Sequence, residues 1–94
     1  MGFRMLHLIA YDISDARRLR KIARLCEDYG VRVEKSVFEC NLDHGMFAEL
    51  WGKLALLVDE SDSIIDYPIG LIDRRKIKTL GGIKRYEPQQ TYIF

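Results

Sequence analysis

Val31–Cys40, VRVEKSVFEC, is the stretch on which the fold turns. It is rich in Val, with Phe38 near its end, which is the composition of extended chain. It reads either as one kinked strand or as two short strands divided near Lys35-Ser36. With two strands, the chain from Met5 onward runs strand, helix, strand, strand, helix, strand. That is the βαββαβ order of an α+β, ferredoxin-like sandwich, with both helices on one face of an antiparallel sheet. The other face is then bare. RNA-recognition modules share this topology and place stacking aromatics on that face. The first strand here has no such aromatic pattern, so a two-fold dimer burying the bare face fits better.

Upstream, Met5–Asp12 reads MLHLIAYD, and in Met5–Tyr11 only His7 is polar. A half-buried strand alternates apolar and polar residues, whereas a near-continuous apolar run is covered on both faces. This strand ends on Asp12. Ser14 or Asp15 then caps a helix whose Leu19, Ile22, Ala23, Cys26 and Tyr29 form an apolar stripe. Gly30 is expected to end it as a left-handed cap. Arg17, Arg18, Arg20, Lys21 and Arg24 crowd the N-terminal half, while Glu27 and Asp28 sit at the C-terminal end. This order opposes the helix dipole, at about 0.3–1 kcal/mol per misplaced charge. A cost repeated along one helix points to an anion bound at its start, where amides, dipole and Arg side chains converge.

Downstream, Asn41–Asp43 reads as a loop, with Asp43 capping a second helix. Met46, Phe47, Leu50, Trp51, Leu54, Leu57 and Val58 form its core stripe, and Glu49 and Lys53 its solvent face. Asp59–Asp62 is a polar turn. Ser63–Ile69 is a strand that tolerates Pro68 near its end. Arg75–Leu80, RKIKTL, alternates like a strand with one wet face, and Gly81-Gly82 breaks it. Tyr86–Gln90 is a linker, and Thr91–Phe94 is a short apolar strand suited to pair with another chain's sheet. The expected organisation is therefore one domain over residues 5–85. Residues 86–94 form a linker and an additional C-terminal strand packing on the partner protomer.

The chain has 94 residues, 48% of them hydrophobic. A core is affordable, but a domain this small leaves much surface unburied, which favours an oligomer. No apolar run approaches the length needed to span a bilayer. The start, MGFRM, lacks the features of a signal peptide. No membrane association and a cytoplasmic location are expected. Cys26 and Cys40 read as ordinary buried thiols, not a zinc site or disulfide framework. Net charge is only +1, yet the charge is segregated: Arg17–Arg24 holds five basic residues and Arg74–Arg85 six, neither with an acid. Such segregation can build a basic face for nucleic acid on a near-neutral chain. His7 and His44 lack metal-ligand spacing and read as structural or exposed. Ser14 and Ser36 have no paired base in sequence.

YDISD at the end of the first strand, the basic helix after it, RVEKSVFE, SIIDYPI and the late LGG together resemble the small CRISPR-associated nucleases of the Cas-two family. The resemblance covers the chain from Met5 onward and rests on order, spacing and total length. It implies a ferredoxin-like homodimer in which the aspartate closing the first strand, here Asp12, is the catalytic metal ligand. The two copies of that aspartate face each other across the dimer axis. It implies a magnesium-dependent endonuclease acting on single-stranded RNA or double-stranded DNA, with manganese as the substitute ion. It also implies a dimer bridging the Cas-one integrase subunits during spacer acquisition in antiviral defence. Tyr11, Arg32 and Phe38 match positions linked to activity in the family. In the basic helix Arg18 and Arg20 are the nearest matches, with Arg17 beside them. One departure is Glu34, where the family usually has glutamine. An extra acid there weakens phosphate binding or adds a metal ligand.

Asp12 also suits the chemistry on its own terms. Magnesium takes hard oxygen ligands, keeps several waters and often uses one or two carboxylates. Two copies of Asp12 meeting at a dimer axis make such a pair, with Arg groups nearby to stabilise growing charge. The alternatives are a catalytically silent DNA-binding dimer that serves the Cas-one integrase as scaffold, and an mRNA-cleaving toxin on a similar fold.

Overall fold

In a computed structural model of the chain, which describes residues 4–70 and 74–81, Val31–Cys40 is two strands. The elements are β1 (Met5–Asp12), α1 (Ala16–Glu27), β2 (Val31–Glu34), β3 (Val37–Leu42), α2 (His44–Leu57) and β4 (Ser63–Gly70). The sheet order is β2-β3-β1-β4, and each neighbouring pair is antiparallel. This is the ferredoxin-like arrangement, with β1 central and β4 at an edge.

Both helices lie on one face. Alternate residues of the central strands point there: Ile9 and Tyr11 from β1, and Phe38, Cys40 and Leu42 from β3. They meet Ile22, Ala23 and Cys26 of α1 and Leu50 and Leu54 of α2 in one core. The helix stripes therefore match the expected periodicity, except that Leu19 and Trp51 lie at its rim, each 36% exposed. His7 is buried on the same face. Its Nδ1 lies 2.9 Å from Asp66 Oδ1, and its ring stacks on Phe47 at 4.3 Å. The one polar residue of the apolar run is thus a partnered core residue.

The opposite face is open. Ile65, Tyr67 and Ile69 of β4 are 47%, 51% and 43% exposed. Cross-strand partners share a face, so Leu8 (opposite Tyr67), Ala10 (opposite Ile65) and Asp12 (opposite Ser63) continue this surface on β1. Asp12 closes an apolar stripe.

Three local expectations are corrected. Gly30 does not close α1 in a left-handed conformation, because Gly81 is the only described residue with positive φ. The helix ends through Asp28, whose amide bonds to the Cys26 and Leu25 carbonyls. Gly30 is needed because β3 passes too close: a Cβ there would sit 2.5 Å from Cys40 Sγ and closer still to the Glu39 carbonyl oxygen. Second, β3 runs on through Asn41 and Leu42, so the loop before α2 shrinks to Asp43, because Leu42 completes the inward alternation. Third, Arg75–Leu80 is not a strand. Arg74–Lys76 form a 3₁₀ turn, and residues 77–80 pair with no described strand. Alternation alone cannot make a strand without a neighbouring backbone to receive its hydrogen bonds. The linker Tyr86–Gln90 and the strand Thr91–Phe94 lie outside the described residues.

Candidate functional site

β1 delivers Asp12 to the C-terminal end of the central strand, where it is exposed. Its carboxylate has no hydrogen-bond or ion-pair partner among the described residues. No group of three or more His, Cys, Asp or Glu side chains able to hold a metal occurs among those residues. Glu34, exposed at the far end of β2, therefore adds no such cluster.

Tyr11, beside Asp12 in sequence, points to the other face. Its ring stacks on Phe38 with centroids 6.1 Å apart, and the Arg32 guanidinium carbon lies 5.4 Å from the Phe38 ring centre. Arg32 also approaches Glu27 at 3.9 Å. The structure thus brings Tyr11, Arg32 and Phe38 into one cluster on the helix side of the sheet, away from the Asp12 carboxylate. Phe38 and Tyr11 are buried, while Arg32 stays exposed. Tyr11 Oη is buried with no partner among the described residues. Burial raises the Tyr11 phenol above its ordinary 10.0, although the nearby Arg32 charge pulls it down. Tyr11 is accordingly neutral at physiological pH and cannot serve there as a base. Burial also pushes both Cys26 and Cys40 up to about 12, so neither is a thiolate nucleophile.

The basic residues of α1 divide into two sets. Asp15 caps the helix, accepting from the Arg18 amide at 2.8 Å. The Arg18 side chain does not face solvent as a free cation. Its Nε and Nη2 donate to Asp62 Oδ2 and Oδ1 at 2.6 and 3.0 Å. For Arg18, the anion expected near the helix start is therefore a carboxylate of the chain itself. Arg17, Arg20, Lys21 and Arg24 are exposed, have no ion-pair partner among the described residues, and line a groove of about 410 Å³ with Leu25 and Asp28.

Asp62 is the residue that sequence reading misses. In the sequence it is one acid of a polar turn, and its partners Arg18 and Ser14 lie 44 and 48 positions away, where no local pattern points. Beyond Arg18, it accepts from the amides of Ser14 at 3.1 Å and Asp59 at 2.9 Å. The Arg18 hydrogen bond, opposed by desolvation and helped by the two amides, holds the Asp62 carboxyl well below the ordinary carboxylate range. A folded value below the unfolded one means stabilisation that is complete above the unfolded value of 3.8 and is lost as pH falls through the folded value. The melting-temperature advantage of wild type over Asp62→Asn should therefore stay constant from neutral pH to about pH 5 and shrink in stronger acid. Thermal melts across that range check this; an advantage that grows on acidification contradicts it.

The model of the family "CRISPR associated protein Cas2" matches residues 5–77. A CRISPR-associated endoribonuclease Cas2 of Nitratidesulfovibrio vulgaris is 42% identical, covering 95% of this chain and 93% of that relative. A CRISPR-associated endonuclease Cas2 of Halalkalibacterium halodurans is 36% identical, covering 96% of this chain and all of its own length. Among solved structures, Streptococcus pyogenes Cas2 superposes with a TM-score of 0.73 at 40% identity, over 82% of this chain and 100% of that one. A hypothetical protein from Thermus thermophilus superposes at 0.76 with 35% identity, over 86% of this chain and 95% of that one. Sequence match, sheet order and relatives that run the length of the chain agree: the protein belongs to the Cas2 family of CRISPR-associated proteins.

Proposed function

We propose that the protein is a magnesium-dependent endonuclease of CRISPR antiviral defence, working as a homodimer that cleaves phosphodiester bonds in single-stranded RNA, with double-stranded DNA as the second substrate to test. The observation that carries this reading is the position of Asp12: an exposed carboxylate, unpartnered among the described residues, at the end of the apolar stripe on the open sheet face. A second copy covering that face removes exposed Ile65, Tyr67 and Ile69 from water and draws two Asp12 carboxylates towards one axis. Residues 86–94, apolar at their end, are proposed to pack on that second copy. The relatives named endoribonuclease and endonuclease support the activity class.

Magnesium fits the donors available. One carboxylate from each copy plus water is the sparse oxygen set this ion accepts, and among the described residues no cluster of nitrogen or sulfur ligands gathers at Asp12 to favour a softer metal. When bound, the ion supplies Lewis acidity towards a phosphoryl oxygen and acidifies a water. Asp12 anchors that charge at the strand end. Arg17 and Arg20, without acidic partners among the described residues, hold the nucleic-acid backbone along α1 and offset its charge. Tyr11, Phe38 and Arg32 support the strand from the other side. Chelation by EDTA should abolish cleavage, and magnesium or manganese should restore it. Cleavage that persists in EDTA removes the metal from the mechanism.

Backbone binding along α1 makes a separate prediction. Removing one phosphate-binding cation reduces the steepness of log affinity against log salt by about 0.7–0.9. Arg20→Ala should reduce it by roughly that amount, and replacing Arg17, Arg20, Lys21 and Arg24 together by about three to four. Titration of labelled RNA at several salt concentrations reads this directly, and an unchanged slope takes α1 out of the interface.

The sparse metal set also favours one second reading: a catalytically silent DNA-binding dimer bridging the Cas-one integrase in spacer acquisition. It uses the same basic groove but has no need of Asp12.

A further inference from the structure

We propose that Asp62 is a positioning residue for Asp12, clamping together the two chain segments that pass on either side of it; this rests on the nuclease reading above. The inference starts from how little holds the Asp12 carboxylate itself. It is exposed and unpartnered among the described residues, so its place is set by backbone alone. That backbone is the end of β1, which immediately turns towards α1, and its cross-strand neighbour is Ser63, the first residue of β4. Strand ends fray unless their flanking turns are tied down.

Asp62, one residue before Ser63, supplies the tie. Its side chain is 0% exposed. One carboxylate collects donors from three separate segments. From the β1–α1 connection come the Ser14 amide at 3.1 Å and Ser14 Oγ at 3.3 Å. From α1 come Arg18 Nε and Nη2 at 2.6 and 3.0 Å. From the α2–β4 turn comes the Asp59 amide at 2.9 Å. Ser14 Oγ also lies 3.2 Å from Ser61 Oγ, a second link between the same two turns. A carboxylate accepting several amides and a two-pronged guanidinium is geometrically demanding, because each donor fixes a different direction. The residues on both sides of Asp12 therefore move as one unit with the start of α1. A displacement of about 1 Å of a reacting group costs on the order of 100-fold in rate, so a clamp of this kind matters to turnover even when it touches no substrate.

The clamp also accounts for a charge. Arg18 is neutralised by Asp62, so it adds little free positive charge for phosphate. Removing the Asp62 charge has opposite consequences for two measurable quantities. It loosens the turn after Asp12, which lowers turnover. It releases the Arg18 charge, which leaves nucleic-acid affinity unchanged or raises it. A residue that only supports the fold would lower both together or, well below the melting temperature, neither.

The experiment uses the full-length protein with Asp62→Asn and Asp62→Ala. Asp62→Asn is the main variant because it preserves size and one acceptor oxygen. Cleavage of single-stranded RNA at saturating magnesium is measured well below each melting temperature, with RNA affinity and amide exchange on the same samples. Expected for Asp62→Asn is turnover about tenfold lower, RNA affinity equal or tighter, and faster exchange of the Ser14 amide. Asp62→Ala, if it folds, shows the same pattern more strongly. Wild-type turnover in folded Asp62→Asn overturns the proposal, as does a parallel loss of turnover and affinity. If wild type binds RNA but does not cut, the nuclease reading fails; unchanged Ser14 exchange in Asp62→Asn then refutes the clamp, and accelerated exchange upholds it.

Discussion

Asp12→Ala should lose cleavage by a factor of roughly 100 or more while keeping the fold and the ability to bind RNA. The size follows from the chemistry: if Asp12 is the protein's carboxylate for the metal, its removal takes away both the anchor and the Lewis acid it holds. The selectivity follows from the structure. Asp12 is exposed, and its side chain touches no partner among the described residues whose loss would unfold the chain. Substitutions at such positions change stability by only about ±0.5 kcal/mol. Binding should be equal or tighter, since one negative charge leaves the neighbourhood of a basic helix. Gel assays on end-labelled RNA, filter binding and a thermal melt on one preparation read all three quantities. A variant that cuts like wild type refutes Asp12 as the catalytic ligand. A wild type that binds and never cuts directs attention to the scaffold reading, in which the α1 groove and the C-terminal residues 86–94 carry the function.

Phe38→Ala has the largest expected effect on stability. The Phe38 ring is 0% exposed, stacks on Tyr11 and lies under the Arg32 guanidinium. Emptying such a site costs about 3–5 kcal/mol, a large share of the roughly 5–15 kcal/mol that holds a typical domain together. Each kcal/mol corresponds to about 4–8 °C in a domain of this size, so the melting temperature should fall by at least about 12 °C. The same burial bears on what Phe38 does. A ring with no surface cannot stack on a base without the core opening, so its contribution to activity passes through the β1–β3 packing beneath Tyr11 and Asp12. Phe38→Leu separates the two roles. Packing predicts recovery of most stability and most activity together. Stacking on substrate predicts a folded, inactive protein. Melts and cleavage rates for Phe38→Ala and Phe38→Leu decide between them.

Residues distant in sequence decide how these effects are distributed. Most element types and boundaries and the α2 N-cap are legible in the chain, and the α1 cap is narrowed to Ser14 or Asp15, because periodicity, capping and turn chemistry act over a few residues. Ile22 to Cys26 and Leu50 to Leu54 repeat at helical spacing, and Asp15 and Asp43 cap through amides three residues on. The separation of β2 from β3 is one of two readings the sequence leaves open, and pairing settles it, Val31 with Glu39 and Arg32 with Phe38. Gly30 answers to a distant constraint. The local rule suggests a helix cap, whereas a passing strand is what forbids a side chain there. Arg75–Leu80 shows the converse: its pattern alternates, yet Arg74–Lys76 form a 3₁₀ turn and residues 77–80 join no described strand.

The chain read alone supplies both helices, the apolar central strand that ends on Asp12 and the basic residues of α1, and it narrows the fold to the ferredoxin-like order once Val31–Cys40 is divided into two strands. Those features are written in neighbouring residues, and local physics reads them. Folding selects which of the cations remain free, gathers Tyr11, Arg32 and Phe38 on the face away from Asp12, and joins Ser14, Arg18 and Asp59 around the Asp62 carboxylate. Those pairings span up to 48 residues of chain and depend on the sheet bringing the ends of β1 and β4 together. A charge in sequence has a sign but no partner, and its partner is chosen by the fold.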